Sequence, residues 1–232
     1  MSIATIVLGS RSPRRQELLS SIVPPERIIV LPPLSPEELS FEDLTTDAAI
    51  DDRLRGIVFR KHADVTARLL AERDLSGLRS AANLSALSDD HVVLVADTIV
   101  VAATSGGQRV VLGQPPVADW QNEVRQWFLT LLSGRTHSVR TGFRVTRGQR
   151  SVERIVQTEV TFHELSDAII DWYLAAGESP GKAGGYAIQG RGAALVCGLQ
   201  GSLTNVIGLP LIEVADGLRQ LAVSEIFEAC HP

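Results

Sequence analysis

Apolar and polar positions fall into blocks along the chain, and the blocks differ in period. Residues 3 to 8 form a short apolar run, the pattern of a buried strand. Residues 13 to 22 place Leu18, Leu19 and Ile22 on one side of a helix. Arg27 to Leu31 predicts a second strand, ended by Pro32-Pro33, which cannot continue a central ladder. Thr46 to Arg73 carries Ile50, Leu54, Ile57, Val58, Val65 and Leu69 at helical spacings and predicts one long helix. His91 to Val101, HVVLVADTIVV, is almost continuously apolar and rich in Val and Ile, as a strand covered on both faces requires.

The second half repeats the alternation. Residues 108 to 113 predict a hairpin partner across Gly106-Gly107. Asp119 to Leu132 predicts a helix with Val124, Phe128, Leu131 and Leu132 inward, followed by strands near 137–146 and 152–162. Ser166 to Ala176 predicts a helix with Ser166 as its cap. A short apolar strand surrounds Cys197, and a last helix over 211–229 packs through Val214, Leu218, Leu221 and Ile226. The stretch 72–91, rich in Ser, Ala, Leu and Asp, predicts a surface insertion. Strands alternating with helices indicate an α/β fold.

Composition narrows the partners. The 232 residues suffice for one large domain or two lobes, and 44% hydrophobic with 21% charged residues is globular. A net charge of −5 without a basic run argues against a broad nucleic-acid surface, while leaving room for small anionic ligands. The two cysteines, Cys197 and Cys230, form no CxxC pair, which argues against a structural zinc site or a disulfide framework. No charged leader with an apolar core and no apolar run of ~20 residues occurs, so neither secretion nor a membrane span is expected, and the cytoplasm is the default location.

Three stretches carry candidate chemistry. The first is Ile6 to Leu19, IVLGSRSPRRQELL, a strand that breaks at Gly9-Ser10. A helix then begins with Ser12 at the cap and Pro13 as first residue. Arg14 and Arg15 in its first turn oppose the helix dipole. They are either solvated or gathered around an anion, for which phosphate suits the guanidinium fork. The second is Asp97-Thr98 inside the apolar run. A buried carboxylate needs a partner or a cleft, so Asp97 either bonds nearby backbone or stands at a cleft edge. At a cleft edge it can hold a divalent cation or activate water. The third is Gly177 to Gly192, GESPGKAGGYAIQGRG, where dense glycines permit close approach to a ligand and Lys182 offers a point charge. It departs from a P-loop, with one spacer missing and Ala183 in place of Ser or Thr. Its alternative is a flexible surface turn. Elsewhere, Ser35-Pro36-Glu37-Glu38 forms a capping-box pattern. His137 is a candidate acid–base residue or a hydrogen-bonding structural one, and Lys61 on a helix face has solvation as its bland reading.

GSRSPRRQELL, VADTIVV, GKAGGYAIQG and VIGLPL, in that order, resemble the motifs of the Maf family of nucleoside triphosphate pyrophosphatases over nearly the whole chain, and the resemblance implies that Val206 to Leu211 is a strand entering the last helix through Gly-Leu-Pro. The resemblance implies the mixed α/β architecture of the inosine-triphosphate-pyrophosphatase type, an elongated twisted sheet with flanking helices and two lobes around a cleft. It implies cleavage of a nucleoside triphosphate to monophosphate and pyrophosphate, with dTTP and UTP favoured over 7-methyl-GTP. In that picture Asp97 is the proton acceptor and, with Glu38, holds Mg²⁺ or another divalent cation such as Mn²⁺. Ser10, Arg14, Arg15, Lys61 and Lys182 meet the phosphates, and Arg14, Thr98 and Gln189 match positions linked to base choice. Gln114 and Gly181 depart from the family's usual Lys and Asp, which keeps a nucleotide-binding regulator with little turnover, of the cell-division-inhibitor type, as the alternative. Family members often form dimers, so the resemblance admits a homodimer.

Overall fold

The long apolar run becomes the spine of a mixed sheet of seven strands. The computed structural model describes residues 4–34, 39–74 and 90–223. In chain order the elements begin β1 (Thr5–Gly9), α1 (Pro13–Ser20), β2 (Ile28–Val30), α2 (Asp47–Asp74), β3 (His91–Ala103) and β4 (Arg109–Leu112). Helix α3 (Trp120–Trp127) continues into a π-helical turn, Phe128–Leu132. There follow β5 (Thr136–Arg147), β6 (Arg150–Phe162), α4 (Asp167–Leu174), β7 (Val196–Gln200), α5 (Leu203–Ile207) and α6 (Leu211–Gln220). The strands lie in the order β2-β1-β3-β5-β6-β7, with β4 beside β3.

β3 is long enough to change neighbours. One edge pairs antiparallel with β5 from Val92 to Val101. On the other edge β1 runs parallel to His91–Val95, and β4 runs antiparallel to Val100–Ala103. Ala96, Asp97, Thr98 and Ile99 therefore fall where one partner has ended and the next has not begun. Such a switch point in an α/β sheet opens a crevice at the strand ends.

Side-chain alternation along β3 divides the core. Val92, Leu94 and Ala96 face β1, Phe143 and α6, while Val100 and Ala102 on the same face meet Phe128, Phe162 and Tyr173. The opposite face, through Val93, Val95, Ile99 and Val101, is covered by α2. At the N-terminal end of α2, Asp51 accepts a hydrogen bond from buried Arg140 at 2.8 Å, and Asp47 accepts a second. This fixes how α2 lies across the sheet.

Three expectations need correction. Val206 to Leu211 does not enter the last helix as a strand, because residues 203–207 form the short helix α5. Ser202 Oγ caps it by accepting the Asn205 N–H, and Gly208 at φ 130° stops it, so capping outweighs the β-branched Val206-Ile207 pair. The last helix ends at Gln220, where Leu221 and Ala222 turn the chain, Ala222 at φ 59°. Ile226, the box at Ser35–Glu38 and with it Glu38, and 75–89 of the expected insertion lie outside the described residues, whereas 72–74 belong to α2.

Candidate active site

The crevice at the β3 switch point is a cleft of about 1280 Å³. Its lining includes Ser10, Arg14, Arg15, Lys61, Asp97, Thr98, Lys182 and Gln189, the described residues that the motif resemblance assigns to the site, whereas His137 is not part of it. Gln114 and Gly181 line it as well.

Gly9 lets β1 end there. A Cβ on it would lie 2.7 Å from Val95 and 2.8 Å from Val65, wedged between β3 and α2. Beyond Gly9 the Ser10 side chain, almost fully buried, turns back on the loop and accepts the Ser12 N–H at 3.1 Å and an Arg15 N–H at 3.3 Å. Ser12 does stand at the N-cap with Pro13 behind it, yet its own hydroxyl makes no capping bond. The start of α1 thus lacks the side-chain acceptor that usually occupies its N–H groups, and these face a cleft rich in cations.

Asp97 and Thr98 are successive strand residues and point to opposite faces. Asp97, 8% exposed, turns toward α2 and meets Lys61 Nζ at 2.6 Å. Lys61 follows Val58 by three residues and precedes Val65 by four, so it sits on the buried stripe of α2 rather than on the solvated side. Its charge answers the cost of burying the Asp97 carboxylate. Thr98 faces the other way and accepts an Arg15 N–H at 3.0 Å. Arg15 also donates Nε–H to the Gly208 carbonyl at 2.8 Å. The Gly208 carbonyl, at the end of α5, was not among the residues read from the sequence. Nothing local marks it, because it is a backbone group 193 positions from Arg15.

Across the cleft stands the loop 177–192. Arg14 reaches it with one long hydrogen bond, 3.4 Å, to the Gly181 carbonyl, and Lys182 donates to the Pro180 carbonyl at 3.3 Å. Burial lowers the Arg14 pKa. Lys182 is also lowered, first by burial and then by the Arg14 charge, with Glu178 opposing. Beneath the loop, Tyr186 bonds His137 at 2.9 Å, and both are buried against Phe162. Burial pushes the His137 imidazole down to about 4 and the Tyr186 phenol upward. The geometry gives His137 the structural role.

Among the described residues, no group of three or more acidic, His or Cys side chains gathers as a ready-made metal cage. Asp97 alone still suits Mg²⁺, which is commonly held by one or two carboxylates together with substrate phosphates and water. No described helix is long and apolar enough to cross a membrane.

The model of the family described as Maf-like protein matches residues 5–221. A dTTP/UTP pyrophosphatase of Cereibacter sphaeroides is 42% identical over 220 residues, covering 94% of this chain and 96% of the relative. Those of Symbiobacterium thermophilum (38% over 215 residues, 93% of each chain) and Bacillus cereus strain B4264 (33% over 218 residues, 94% and 96%) are also similar. The observed sheet with flanking helices is the α/β architecture that the motif resemblance implies.

Proposed function

Because the chain belongs to the Maf-like protein family, we propose that it hydrolyses nucleoside triphosphates, dTTP and UTP foremost, to the monophosphate and pyrophosphate. The observation that carries this reading is the meeting of Arg14, Arg15, Lys61, Lys182 and the buried carboxylate of Asp97 in a single cleft. Cations gathered around a buried carboxylate form a site for a polyanion that must be attacked by water.

Asp97 orients the attacking water and accepts its proton as it adds to the α-phosphorus. Its Lys61 partner holds the carboxylate in place. Arg14, Arg15 and Lys182 bind the phosphate chain and offset the charge that grows on the departing pyrophosphate. Ser10 holds the Arg15 guanidinium from behind. Asp97 is also the described residue that would hold a divalent cation, Mg²⁺ in our reading, with Glu38 as a second carboxylate; when bound, the cation neutralises and polarises the phosphate oxygens. Arg14, Thr98 and Gln189, all on the cleft wall, read the base. The chain acts as one domain with two lobes sharing the sheet.

Pyrophosphate release from a panel of nucleoside triphosphates, with and without Mg²⁺, tests the proposal. Release from dTTP and UTP that needs the cation supports it. Tight nucleotide binding without release rejects it in favour of a regulator.

A further inference from the structure

Behind Thr98 a thread of buried hydroxyl and amide groups crosses the sheet, and nothing in the proposed chemistry uses it. Thr98 and Thr141 are register partners on β3 and β5, and their hydroxyl oxygens lie 2.9 Å apart. Thr141 Oγ1 lies 3.1 Å from the Asn205 carbonyl of α5. Asn205 in turn donates its amide to the Val139 carbonyl and to Thr158 Oγ1, each at 3.0 Å. Thr141, Thr158 and Asn205 are all 0% exposed, so water cannot rearrange these bonds.

A hydroxyl has one proton and two lone pairs. The Asn205 carbonyl can only accept, so it takes the Thr141 proton. Thr141 must then accept from Thr98, which sends the Thr98 proton inward. One Thr98 lone pair already accepts from Arg15. The second lone pair is left on the hydroxyl of a half-buried residue of the cleft wall. Seen from the cleft, Thr98 is an acceptor with no proton to give.

We propose that Thr141, backed by the Asn205 carbonyl, fixes this polarity and thereby makes the cleft prefer pyrimidines that present a ring N–H, uracil and thymine, over cytosine, whose ring nitrogen at that place only accepts. The proposal rests on the pyrimidine reading given above, with Thr98 at the base. Thr141 acts through Thr98 and is a positioning residue. Without Thr141's oxygen the Thr98 hydroxyl can turn its proton to the cleft and serve either base.

The test is calorimetric binding of the non-hydrolysable α,β-imido analogues of UTP and CTP to the full chain, with Mg²⁺, in wild type, Thr141→Val and Thr141→Ser. Thermal unfolding confirms that each variant is folded, and Thr141→Ala reads the same ratio if the valine variant does not fold. Wild type should prefer the UTP analogue. The valine variant should shrink that preference about tenfold, the value of one good hydrogen bond, and serine should retain it. Absence of any preference in wild type, an unchanged preference in Thr141→Val, or a serine variant that behaves like valine overturns the proposal. Pyrophosphate release on the same samples separates the two readings. A wild type that releases none, yet loses its preference in Thr141→Val, removes only the turnover. A wild type that cleaves UTP, with an unmoved preference in Thr141→Val, removes only the role of Thr141.

Discussion

The two walls of the cleft hold their cations in opposite ways. On the sheet wall Arg15 is fixed by Gly208, Thr98 and Ser10, and Lys61 by Asp97, with bonds as short as 2.6 Å. On the loop wall Arg14 and Lys182 make only long bonds to carbonyls, at 3.4 and 3.3 Å, and both pKa values are pushed down. The sheet wall is arranged before any ligand arrives. The loop wall keeps two desolvated like charges in unfavourable company, a state that an anion between them would relieve. Preorganisation serves the reacting atoms, where reorganisation is costly. Unrelieved charge serves binding, because the relief appears only with ligand.

This contrast predicts that damage to the sheet wall reduces turnover and damage to the loop wall reduces affinity. The largest effect should come from Asp97→Asn. It keeps the shape but removes both the proton acceptor and the charge that answers Lys61. Turnover should fall about 10³-fold, while affinity for a non-hydrolysable analogue changes far less. Turnover near wild type would remove Asp97 from the chemistry and the sheet wall from its assigned part.

Acid should attack the loop wall from below. His137, buried under Tyr186, is held to about 4, whereas an unfolded histidine titrates near its ordinary value. Between those values the unfolded chain binds a proton that the folded one refuses, so stability rises with pH across the window and is lost as pH falls through it. From the size of the shift, His137 takes away about 3 kcal/mol by the lower end. Urea unfolding midpoints between about pH 7 and 4 measure this, and in His137→Gln the decline over that window should be shallower. An equal decline in the variant would assign the acid sensitivity to other groups.

How far these walls were legible in the sequence follows from the distance each signal spans. Asp97 announced itself, because a carboxylate in an apolar Val/Ile run has few places to go. Lys61 was legible in principle, since its spacing from Val58 and Val65 already puts it on the inward stripe of α2. The alternation of strands and helices was equally local. α5 was hidden by β-branched Val206-Ile207, although Ser202 and Gly208 mark its ends. The Thr98–Thr141 bond joins residues 43 apart and depends on strand register, which no short motif encodes. The Gly208 carbonyl grips Arg15 through backbone, and backbone groups look alike in any sequence.

Lys182→Met sharpens the comparison from the loop side. KM for the triphosphate should rise about tenfold, the scale of one charge-assisted bond, with kcat less affected. The pH dependence gives a second readout. Anion binding needs the protonated amine, whose pKa in the free protein is lowered by burial and by Arg14. Affinity should therefore be complete below that lowered pKa and decline as pH rises through it. In Arg14→Met the decline should move to higher pH, because one repulsion is gone; in Lys182→Met it should vanish. KM measured from neutral to alkaline pH decides, and an alkaline decline that persists in Lys182→Met would place the titration elsewhere.

The smallest effect, and the one that adds rather than removes, should come from Gln114→Lys. Gln114 is exposed on the cleft lining, and the neighbouring Gly113 carbonyl accepts the Gly184 N–H at 3.0 Å, so this loop is joined to the loop wall. A lysine there brings a third cation toward Arg14 and Lys182. In the free protein it adds repulsion, worth a few tenths of a kcal/mol at so exposed a position, and Tm should drop slightly. With a triphosphate bound the same charge becomes favourable, so KM should fall a few fold and ligand-induced stabilisation should grow. Stability of the free protein and affinity for the triphosphate must move in opposite directions if relief of like charge is what the loop wall contributes. Gln114→Lys that left both Tm and KM where they were would show that the loop wall binds by shape and hydrogen bonding alone, and the contrast between the walls would then be one of rigidity without electrostatics.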